Sequence, residues 1–439
     1  MKKINIVGLG KLGASMAAAI ADRGFHVVGV DIDKKAVEEM NAGRAPVQET
    51  GLGELIEKNR GRLRATTEHV EAVLESDISF VIVPTPSDER GAFSLQYARW
   101  AFEKLGAALA LKKEPHLVVM TSTVLPGACR KELVPVLEAT SGSKAGKKWG
   151  FCYSPEFIAL GSVIRDFLNP DFTLIGEWDK KSGDLLEEFY SQIMLNSPAC
   201  CRMSLENAEL TKISVNSFIT TKIAFANTLA ELCGRMSGGD VDAVTHALGC
   251  DKRIGARYLK GGMGFGGPCF PRDNKAFHFM AAELGVEARI AAATDGMNQQ
   301  TLSNAVRCIQ KSVATGSTVG ILGLAYKPFS HVVEQSQALQ LARMLAENGY
   351  RVLGYDPLAG EMARMELRDK VMIMPSAREC IQQADMVVMA TPDPEFAQLS
   401  PEDFENAKPE MILFDFWRVA SEKLRLAEHI RYVAYGRGG

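Results

Sequence analysis

The segment GFGGPCFPRD, residues 264–273, holds a cysteine in a setting suited to chemistry. Cys269 stands between a glycine cluster and a proline, and Asp273 follows four residues later. A thiol that serves only packing needs no such rigid surroundings, so this setting indicates a thiol that is held in a fixed position. A thiolate forms covalent intermediates, but a thiol with the ordinary pKa of about 8.5 is only partly ionised at neutral pH. Cys269 is therefore a candidate nucleophile that its surroundings must activate.

A second group of residues has the order that a dinucleotide site requires. Three glycines follow a short apolar run in GxGxxG spacing, namely Gly8, Gly10 and Gly13. A predicted helix over 14–23 comes next, and a second predicted strand ends at Asp31. The first glycine makes the tight turn, the second lets the backbone approach a pyrophosphate, and the third packs helix against strand. Asp31 can accept hydrogen bonds from ribose hydroxyls and would repel a 2'-phosphate, so the sequence predicts NAD rather than NADP as cofactor.

Two more predicted strands, 78–83 and 117–121, each end in a polar loop that contains proline. In an open α/β sheet, ligands meet the carboxyl ends of the strands. Thr85 and Thr123 lie in these two loops and are therefore expected to line the cofactor crevice. By themselves, both threonines could equally be ordinary turn residues.

The stretch 204–233 contains no glycine or proline and predicts one long helix, with Ser204 as its N-cap. Lys212 and Asn216 are four residues apart and so share a face. Apolar residues occur on several sides, which is typical of a buried helix at a subunit boundary. A buried lysine is costly unless it is paired or used. From this helix alone, Lys212 is either a functional residue or a side chain whose amine reaches solvent.

Composition limits the class of protein. A chain of 439 residues predicts two or three domains, and a formal net charge of -3 gives no reason to expect nucleic acid or an anionic membrane as partner. Nine cysteines without a CxxC spacing, and seven scattered histidines, predict neither a disulfide framework nor a metal site. The N-terminal stretch loosely imitates a signal peptide, but Lys11 interrupts its apolar run. The sequence therefore predicts a cytoplasmic protein.

Ordered motifs along nearly the whole chain make it resemble the nucleotide-sugar 6-dehydrogenase family, also called the UDP-glucose/GDP-mannose dehydrogenase family. Besides GFGGPCFPRD, the matching segments are GLGKLG at 8–13, PVQETGLGELI at 46–56, VPTP at 83–86, STVLPG at 122–127, SPEF at 154–157, LNPD at 168–171, LTKISVN at 210–216 and GLAYKP at 323–328. The resemblance implies oxidation of C6 of a sugar nucleotide to a uronic acid with two NAD. It also implies a homodimer or a higher homo-oligomer.

The resemblance assigns roles to the residues around the thiol. Cys269 matches a nucleophile that forms first a thiohemiacetal and then a thioester at C6. Lys212, with Asn216 beside it, matches the group that stabilises the developing oxyanion. Asp273 matches the acid that orients the lysine and a water molecule.

Thioester hydrolysis also has its assigned residues. Glu156 matches the general base, and Thr123 matches the hydroxyl that helps to hold the attacking water. A role in positioning alone stays open for both. The remaining assignments concern binding. The expected cofactor contacts are Gly8, Gly10, Leu12, Gly13, Asp31, Thr85 and Thr123, and the expected substrate contacts are Glu156, Phe157, Lys212, Asn216, Arg253, Tyr258, Phe265, Gly266, Lys327 and Arg418. Arg253 matches a residue that reaches the substrate of the partner subunit.

The predicted fold is α/β, with two Rossmann-like doubly wound domains joined by a long central helix. Strand and helix patterns alternate again after residue 315, but without a full glycine fingerprint, so the last domain is expected to bind the nucleotide of the substrate and no dinucleotide. The predicted domains are residues 1–203 for NAD, 204–300 for dimerisation and the cysteine loop, and 301–439 for the sugar nucleotide.

The chain departs from the family pattern at three places. Leu160 stands where a second glutamate is common, and Arg272 replaces the usual lysine. The segment SHVVEQSQ, residues 330–337, replaces an acidic segment whose arginine position is here Gln335. GGPCFPRD resembles the glucose and mannose branch of the family rather than the branch for 2-acetamido sugars. UDP-glucose is therefore the expected substrate.

Three alternatives remain at this point. The substrate is GDP-mannose or another UDP-hexose, or the protein is a two-electron β-hydroxyacid dehydrogenase, or it is a sensor of nucleotide sugars without catalysis. The second alternative needs no cysteine, and the third would be expected to lose Cys269 or Lys212, which are both present.

Overall fold

The computed structural model describes residues 2–438. The chain forms two compact units, Met1–Ser214 and Val215–Gly439, and the boundary between them falls within one long helix. Each unit is built on a mostly parallel sheet, which confirms the predicted α/β class with two Rossmann-like domains linked by a helix. The finer division at residues 203 and 300 stays a prediction.

The strands of the first unit are apolar and mostly buried, as expected of a sheet covered on both faces. They are β1 (Lys3–Val7), β2 (His26–Val30), β3 (Leu63–Thr66), β4 (Ile78–Val81), β5 (His116–Met120), β6 (Trp149–Tyr153), β7 (Phe172–Glu177) and β8 (Ala199–Ser204). Their order in the sheet is β3-β2-β1-β4-β5-β6-β7-β8, and the pairing of β6 with β7 is antiparallel. The order reverses between β1 and β4, so the loops after these two strands lie at the point where such sheets bind ligands.

Helices of the first unit cover both faces of this sheet. They are α1 (Lys11–Asp22), α2 (Lys34–Asn41), α3 (Leu52–Lys58), α4 (His69–Glu75), α5 (Gln96–Leu111), α6 (Val134–Ser141), α7 (Val163–Leu168) and α8 (Lys180–Ile193). Small side chains explain the close packing of α1, in which the run from Gly13 to Ala21 is buried. This helix carries the amino-terminal N–H groups that follow the glycine turn.

The helix α9, Leu205–Arg235, contains 31 residues and confirms the predicted long helix. The Ser204 hydroxyl accepts a hydrogen bond from the Asn207 amide at 3.4 Å, which is the predicted N-cap. Ile213 is buried, whereas Phe218 and Phe225 are 67% and 53% exposed in the single chain, so their burial at a subunit boundary stays a prediction.

The second unit repeats the parallel sheet in the order β11-β10-β9-β12-β13-β14. Its strands are β9 (Thr318–Leu322), β10 (Arg351–Tyr355), β11 (Met372–Ile373), β12 (Met386–Met389), β13 (Met411–Asp415) and β14 (Ile430–Ala434). Its helices after α9 are α10 (Val241–Cys250), α11 (Phe270–Glu283), α12 (Arg289–Ser312), α13 (Gln337–Glu347), α14 (Gly360–Leu367), α15 (Ala377–Gln383), α16 (Pro394–Ala397) and α17 (Glu422–Arg425). Among residues 2–438, no helix has the length and apolar character needed to cross a membrane.

Candidate active site

The turn after β1 has the shape that a pyrophosphate requires. Gly8 has a φ of 99°, which favours glycine, and its amide donates to the Val30 carbonyl at 2.8 Å. A side chain at Gly13 would overlap the Gly8 carbonyl, whereas one at Gly10 would project into open space. The first N–H groups of α1 have no side-chain cap, so they face this space as an anion site. The residues present therefore fit a dinucleotide.

Asp31 follows β2 and supplies the predicted ribose acceptor. Its carboxylate accepts hydrogen bonds from the Leu9 amide at 2.6 Å and from the Asp33 amide at 2.9 Å. A carboxylate has about four acceptor positions, so two amide bonds orient Asp31 without exhausting it. The residue is partly exposed, and it can still accept from ribose hydroxyls.

Thr85 and Thr123 are brought together by the loops that follow β4 and β5. The Thr85 hydroxyl donates to the Thr123 carbonyl at 2.8 Å, and the Ser122 hydroxyl donates to the Val83 carbonyl at 2.6 Å. The two loops are thus tied to each other beside the glycine turn. Thr85 is buried, while Thr123 is partly exposed, so Thr123 is the one whose hydroxyl suits a water molecule or a ligand.

Glu209 of α9 holds the Thr123 loop from the other side. It is fully buried, and its carboxylate accepts from the Gly127 amide at 2.5 Å and from the Cys129 amide at 2.9 Å. Burial raises the pKa of Glu209, while the Cys129 and Gly127 hydrogen bonds oppose that rise. The helix that carries Lys212 therefore also fixes the loop of Thr123.

Lys212 is bound to the SPEF segment. Its ammonium donates to the Glu156 backbone carbonyl at 2.6 Å and lies 4.5 Å from the centre of the Phe157 ring. Lys212 is buried, at 9% exposed. The structure thus places Lys212, Glu156 and Phe157 in one group.

The electrostatics of this group are those of a base that works near neutral pH. Burial raises the pKa of Glu156 to about 7, and the nearby Lys212 charge acts in the opposite direction. A general base is most effective when its pKa lies close to the working pH. The raised pKa therefore makes Glu156 a candidate for the base that activates a water molecule.

Cys269 stands directly before α11 as its N-cap residue, and it is exposed. The thiol therefore lies at the amino end of a helix, where the partial charge of the helix is positive. The Tyr326 ring lies next to Gly267, two residues before the thiol. Burial raises the pKa of Tyr326, as does the charge of Cys269, so the phenol stays neutral.

Asp273 lies one turn after Cys269 and is 1% exposed. One carboxylate oxygen accepts from the Asn216 amide at 2.6 Å, and the other accepts from Arg272 at 2.9 and 3.0 Å. The Asp273 amide also donates to the Cys269 carbonyl at 2.8 Å. Asn216, Asp273 and the Cys269 backbone therefore form one connected group in the second unit.

The loop before the thiol is fixed by two asparagines. Asn227 of α9 accepts from the Gly262 amide at 2.9 Å, and its own amide lies 3.4 Å from the Met263 carbonyl. Asn298 of α12 accepts from the Phe265 amide at 2.8 Å and donates to the Phe265 carbonyl at 2.9 Å. Both asparagines are buried, so these bonds are shielded from competing water.

The segment 330–337, whose sequence departs from the family pattern, also contacts this loop through its backbone. The Gly267 amide donates to the Glu334 carbonyl at 3.1 Å, and a side chain at Gly266 would overlap the Gln335 carbonyl. The glycines of the loop thus admit neighbouring atoms of the protein itself. Carbonyl groups of the segment make these two contacts, and the Gln337 side chain lies near Gly264.

The other expected substrate residues have diverse surroundings. Arg253 is 88% exposed at its side chain and pairs with Asp251 at 2.6 Å. Tyr258 is half exposed, and its ring centre lies 6.2 Å from that of Phe270. The Lys327 ammonium lies 5.6 Å from the ring centre of Tyr326. Arg418 differs from these, because its side chain is 1% exposed and pairs with Asp242.

The second unit has a counterpart of the glycine turn, but the carboxylate beside it has no free acceptor position for a ribose. Gly323 has a φ of 91°, and its amide donates to the Tyr355 carbonyl at 2.8 Å, as Gly8 does in the first unit. Asp356 follows β10 as Asp31 follows β2. It accepts from four amides, those of Leu324, Ala325, Leu358 and Ala359 at 2.7–2.9 Å. Its acceptor positions are therefore filled, which supports the prediction of a domain without a dinucleotide.

A cavity of about 360 Å³ opens at the amino ends of β1, β4, β5 and β6, next to Lys2, Asp77, His116 and Trp149. This edge of the sheet lies opposite the glycine turn. The cavity is therefore separate from the cofactor crevice.

Sequence reasoning missed several residues that position the candidate site. Glu49 accepts from the Gly161 amide at 3.0 Å and the Val163 amide at 3.2 Å, and so holds the chain after SPEF. Its place in the family motif PVQETG could have indicated this role. Glu209 lies three residues before Lys212, which could have indicated its role, whereas Asn298 lies outside the family motifs and has no local signal.

Comparison with family models covers three parts of the chain. The NAD binding domain of the UDP-glucose/GDP-mannose dehydrogenase family matches residues 2–194. The central domain of the same family matches residues 206–300, and its UDP binding domain matches residues 320–422. The prediction of NAD as cofactor is thus confirmed.

Individual relatives agree with this result. The chain is 35% identical to a UDP-glucose 6-dehydrogenase of Haloferax volcanii, over 96% of this chain and 98% of that protein. It is 34% identical to a GDP-mannose 6-dehydrogenase of Pseudomonas aeruginosa, over 90% and 93% respectively. The solved structure of a UDP-glucose dehydrogenase from Pyrobaculum islandicum superimposes with a TM-score of 0.89 at 34% identity, covering 98% of this chain and 97% of that chain.

The site geometry, the three family matches and the full-length relatives all point the same way. The fold provides an NAD crevice, a nucleotide domain and a cysteine at the start of a helix. The chain therefore belongs to the UDP-glucose/GDP-mannose dehydrogenase family, and it is an NAD-dependent nucleotide-sugar 6-dehydrogenase.

Proposed function

We propose that the protein oxidises UDP-glucose at C6 to UDP-glucuronate, a four-electron reaction that uses two NAD and one water. The observation that carries this proposal is the exposed Cys269 thiol at the amino end of α11. A dehydrogenase that stops after one hydride transfer has no need of a nucleophile. A thiolate beside the substrate instead allows the aldehyde to be captured and oxidised a second time.

The bonds made and broken follow from the thiolate. When bound, NAD accepts one hydride from C6 at each oxidation. The first oxidation leaves an aldehyde, and the Cys269 sulfur attacks its carbon while the oxygen gains a proton, giving a thiohemiacetal. Loss of a second hydride and a proton gives a thioester. Water then adds to the thioester carbon, Glu156 takes its proton, and cleavage of the C–S bond returns the thiolate and releases the carboxylate.

The remaining site residues have supporting roles in this scheme. Lys212 and Asn216 stabilise the oxyanion of the tetrahedral intermediates through N–H donors. Asp273 orients the Asn216 amide, to which it is bound at 2.6 Å. Thr123 holds the hydrolytic water, which agrees with its partial exposure at the end of β5.

UDP-glucose is favoured as substrate on two grounds. The family model that matches residues 320–422 describes a UDP binding domain. The relative that acts on UDP-glucose in Haloferax volcanii aligns with 96% of this chain. GDP-mannose is the second candidate, because a relative named for that substrate is 34% identical over 90% of the chain.

We further propose that the functional unit is a homodimer in the cytoplasm. Phe218, Phe225 and Leu232 recur every seven residues on α9, and each is at least 53% exposed in the single chain. Such a stripe is typical of a helix that packs against a partner. Arg253 is 88% exposed at its side chain, as a residue that reaches a neighbouring subunit must be. A reducing compartment keeps the catalytic thiol available.

The test is a panel of sugar nucleotides with NAD. UDP-glucose, GDP-mannose, UDP-galactose and UDP-N-acetylglucosamine are each incubated with the enzyme, and NADH and uronate are both quantified. The proposal predicts the highest kcat/KM for UDP-glucose and two NADH per uronate. A higher kcat/KM for GDP-mannose than for UDP-glucose would make GDP-mannose the substrate. One NADH per sugar would refute the four-electron chemistry.

A further inference from the structure

The segment that carries Glu156, residues 154–163, is fixed at its start by buried hydroxyl groups. The Ser154 hydroxyl donates to the Leu174 carbonyl at 2.9 Å and lies 2.8 Å from the Tyr190 hydroxyl. Because the single Ser154 proton goes to Leu174, the Tyr190 hydroxyl is the donor to Ser154. Both hydroxyl residues are buried. The chain two residues before Glu156 is therefore held firmly.

Glu49 holds the other end of this segment. One of its carboxylate oxygens accepts from the Gly161 amide at 3.0 Å, and the other accepts from the Val163 amide at 3.2 Å. Gly161 has a φ of 89°, which favours glycine, so the chain turns at the residue that Glu49 binds. Hydrogen bonds to a carboxylate are stronger than those between neutral groups. A side chain more than a hundred residues away in sequence thus closes the segment.

The Glu49 bridge has a rigid base on both sides. The Glu49 carbonyl accepts from the Leu52 amide at 3.3 Å, where α3 begins. Leu52 is fully buried in an apolar cluster that also contains Ile20 of α1 and Phe167 of α7. The helix after Glu49 and the helix after Gly161 are therefore anchored in the same core, and the carboxylate joins the two chains above it.

The Asp166 side chain also binds the segment, but it comes from the helix directly after it. It accepts from the Ala159 amide at 3.1 Å and from the Ser162 hydroxyl at 2.6 Å. These two bonds shape the turn from within the local chain. The bonds to Glu49 instead connect the turn to a distant part of the first unit. Loss of Glu49 would therefore leave the turn folded but less firmly attached.

The position of Glu156 matters more in this chain than in relatives with the common family pattern. Leu160 stands where a second glutamate is common, so Glu156 is the one acidic residue of the sequence 154–163. No other carboxylate of this segment can accept a proton from water if Glu156 is displaced. The attachment of the segment thus acts on a single proposed base.

We propose that Glu49 is a positioning residue for the hydrolytic step: its carboxylate holds the end of the segment 154–163 and so keeps Glu156 within reach of the water that attacks the thioester. The inference rests on the proposed role of Glu156 as general base. Glu49 acts through the backbone of Gly161 and Val163 and takes part in no bond change itself. Its loss should therefore slow hydrolysis and leave the thioester in place for longer.

The test compares two replacements of Glu49. Glu49→Ala removes both acceptor oxygens, whereas Glu49→Gln keeps the shape of the side chain and one acceptor oxygen. Glu54→Ala is the matched control, because Glu54 is an exposed residue of the neighbouring α3. Four quantities are measured for each variant: the hydrogen exchange of peptides from 158–168, kcat with UDP-glucose and NAD, the fraction of protein that carries the acyl mass during turnover, and the Kd for UDP.

The expected results are graded. In Glu49→Ala, the peptide amides exchange about tenfold faster, because the turn opens more often. Its kcat falls about tenfold, since a small displacement of a catalytic group is costly, and the acyl-enzyme accumulates. Glu49→Gln gives intermediate values, because one of the two amides keeps its partner. Glu54→Ala changes none of these quantities, and the Kd for UDP stays within about twofold in all three variants, as expected of an intact fold.

Two results would overturn the proposal. Unchanged hydrogen exchange in Glu49→Ala would show that the segment is held without Glu49. Faster exchange with unchanged kcat and no accumulated acyl-enzyme would show that this attachment does not position the base. If Glu49→Ala does not fold, Glu49→Gln decides the question alone. Hydrogen exchange needs no turnover, so a failure of Glu49 to hold the segment is distinguishable from a failure of the four-electron chemistry, which the NADH stoichiometry tests.

Discussion

The Asn216 amide donates to one oxygen of the Asp273 carboxylate at 2.6 Å, while Arg272 donates twice to the other oxygen. Asp273 is 1% exposed, so this pair lies in a medium where an unmet polar group is costly. The bond links α9 to α11, one turn beyond Cys269. The orientation of a proposed oxyanion donor is therefore set by a buried carboxylate.

Exchanging one member of this pair should impair both folding and catalysis. Asn216→Asp places two carboxylates in contact and should cost about 1–3 kcal/mol of the free energy of unfolding, because a buried group loses its partner. It should also lower kcat by about 10²-fold, as expected when an oxyanion donor is lost. Chemical denaturation and steady-state kinetics measure the two effects.

The reciprocal double variant is the control for this prediction. Asn216→Asp with Asp273→Asn restores an amide–carboxylate pair with its direction reversed, so part of the lost stability should return. Equal stability of the double variant and the single Asn216→Asp variant would show that the bond at 2.6 Å contributes nothing.

Replacing Glu156 should separate hydrolysis from oxidation. Glu156→Gln leaves no base for the attacking water, so the thioester should accumulate and add the mass of the sugar nucleotide acyl group to the intact protein. Glu206→Gln is the matched control, since Glu206 pairs with Arg130 at 2.5 Å and has no proposed chemical role. Intact-protein mass spectrometry after mixing with UDP-glucose and NAD distinguishes the two variants. If the Glu156→Gln protein carries no added mass, Glu156 is not the base of the hydrolytic step.

The same residue predicts the pH dependence of turnover. Burial raises the pKa of Glu156 to about 7, with Lys212 opposing the rise, and the ionised form is the active base. When hydrolysis limits turnover, kcat should therefore fall as the pH drops below about 7, and this acidic limb should disappear in Glu156→Gln. A limb that survives the substitution would belong to another group.

Cys269 should be required for the second oxidation but not for cofactor binding. Cys269→Ala should abolish uronate formation because no thiohemiacetal can form, while the Kd for NAD stays within twofold. Cys269→Ser should stall as an ester, since an alkoxide leaves less readily than a thiolate. NADH stoichiometry, uronate yield and protein mass are the measurements, and undiminished uronate from the alanine variant would reduce the thiol to a structural role.

Asp31 should control the choice between NAD and NADP. Its carboxylate is the expected ribose acceptor, and a 2'-phosphate on that ribose would be repelled by the like charge. Asp31→Ala should therefore lower the ratio of kcat/KM for NAD to that for NADP by at least tenfold. Asp33→Asn is the control, because Asp33 caps α2 by accepting from the Lys35 amide at 2.9 Å. Equal ratios in the wild type and in Asp31→Ala would contradict the role of the carboxylate.

The apolar stripe of α9 should be needed for assembly. Phe218→Ser combined with Phe225→Ser removes two exposed aromatic side chains, so sedimentation should show a shift from dimer to monomer with loss of activity. Leu426→Ser is the control, because Leu426 is 73% exposed but lies far along the chain from α9. A fully active wild-type monomer at assay concentration would reject the shared functional unit.

Local patterns predicted the parts of the site that depend on adjacent residues. Gly8 and Asp31 were identified because the turn, helix and strand between them follow the periodicity of a single βαβ unit. Lys212 and Asn216 were placed on one helix by their spacing of four. In each case the chemistry follows from residues that are close in sequence.

Other features depend on contacts that spacing does not encode. Asn298 binds Phe265 from 33 residues away, and Glu209 binds Gly127 from 82 residues away. Arg418 was assigned by its motif, but only the packed structure shows that it pairs with Asp242. Which face of α9 remains exposed also depends on the tertiary packing, so Phe218 could not be distinguished from a core residue.

The four amides around Asp356 have a consequence for the order of events in turnover. Of the carboxylates of Asp31 and Asp356, that of Asp31 alone keeps acceptor positions for a ribose, so the proposed four-electron oxidation would use one nicotinamide crevice twice. Under that proposal, spent cofactor leaves and fresh cofactor enters between the two hydride transfers. The proposed covalent bond to the Cys269 sulfur would then retain the half-oxidised sugar during the exchange.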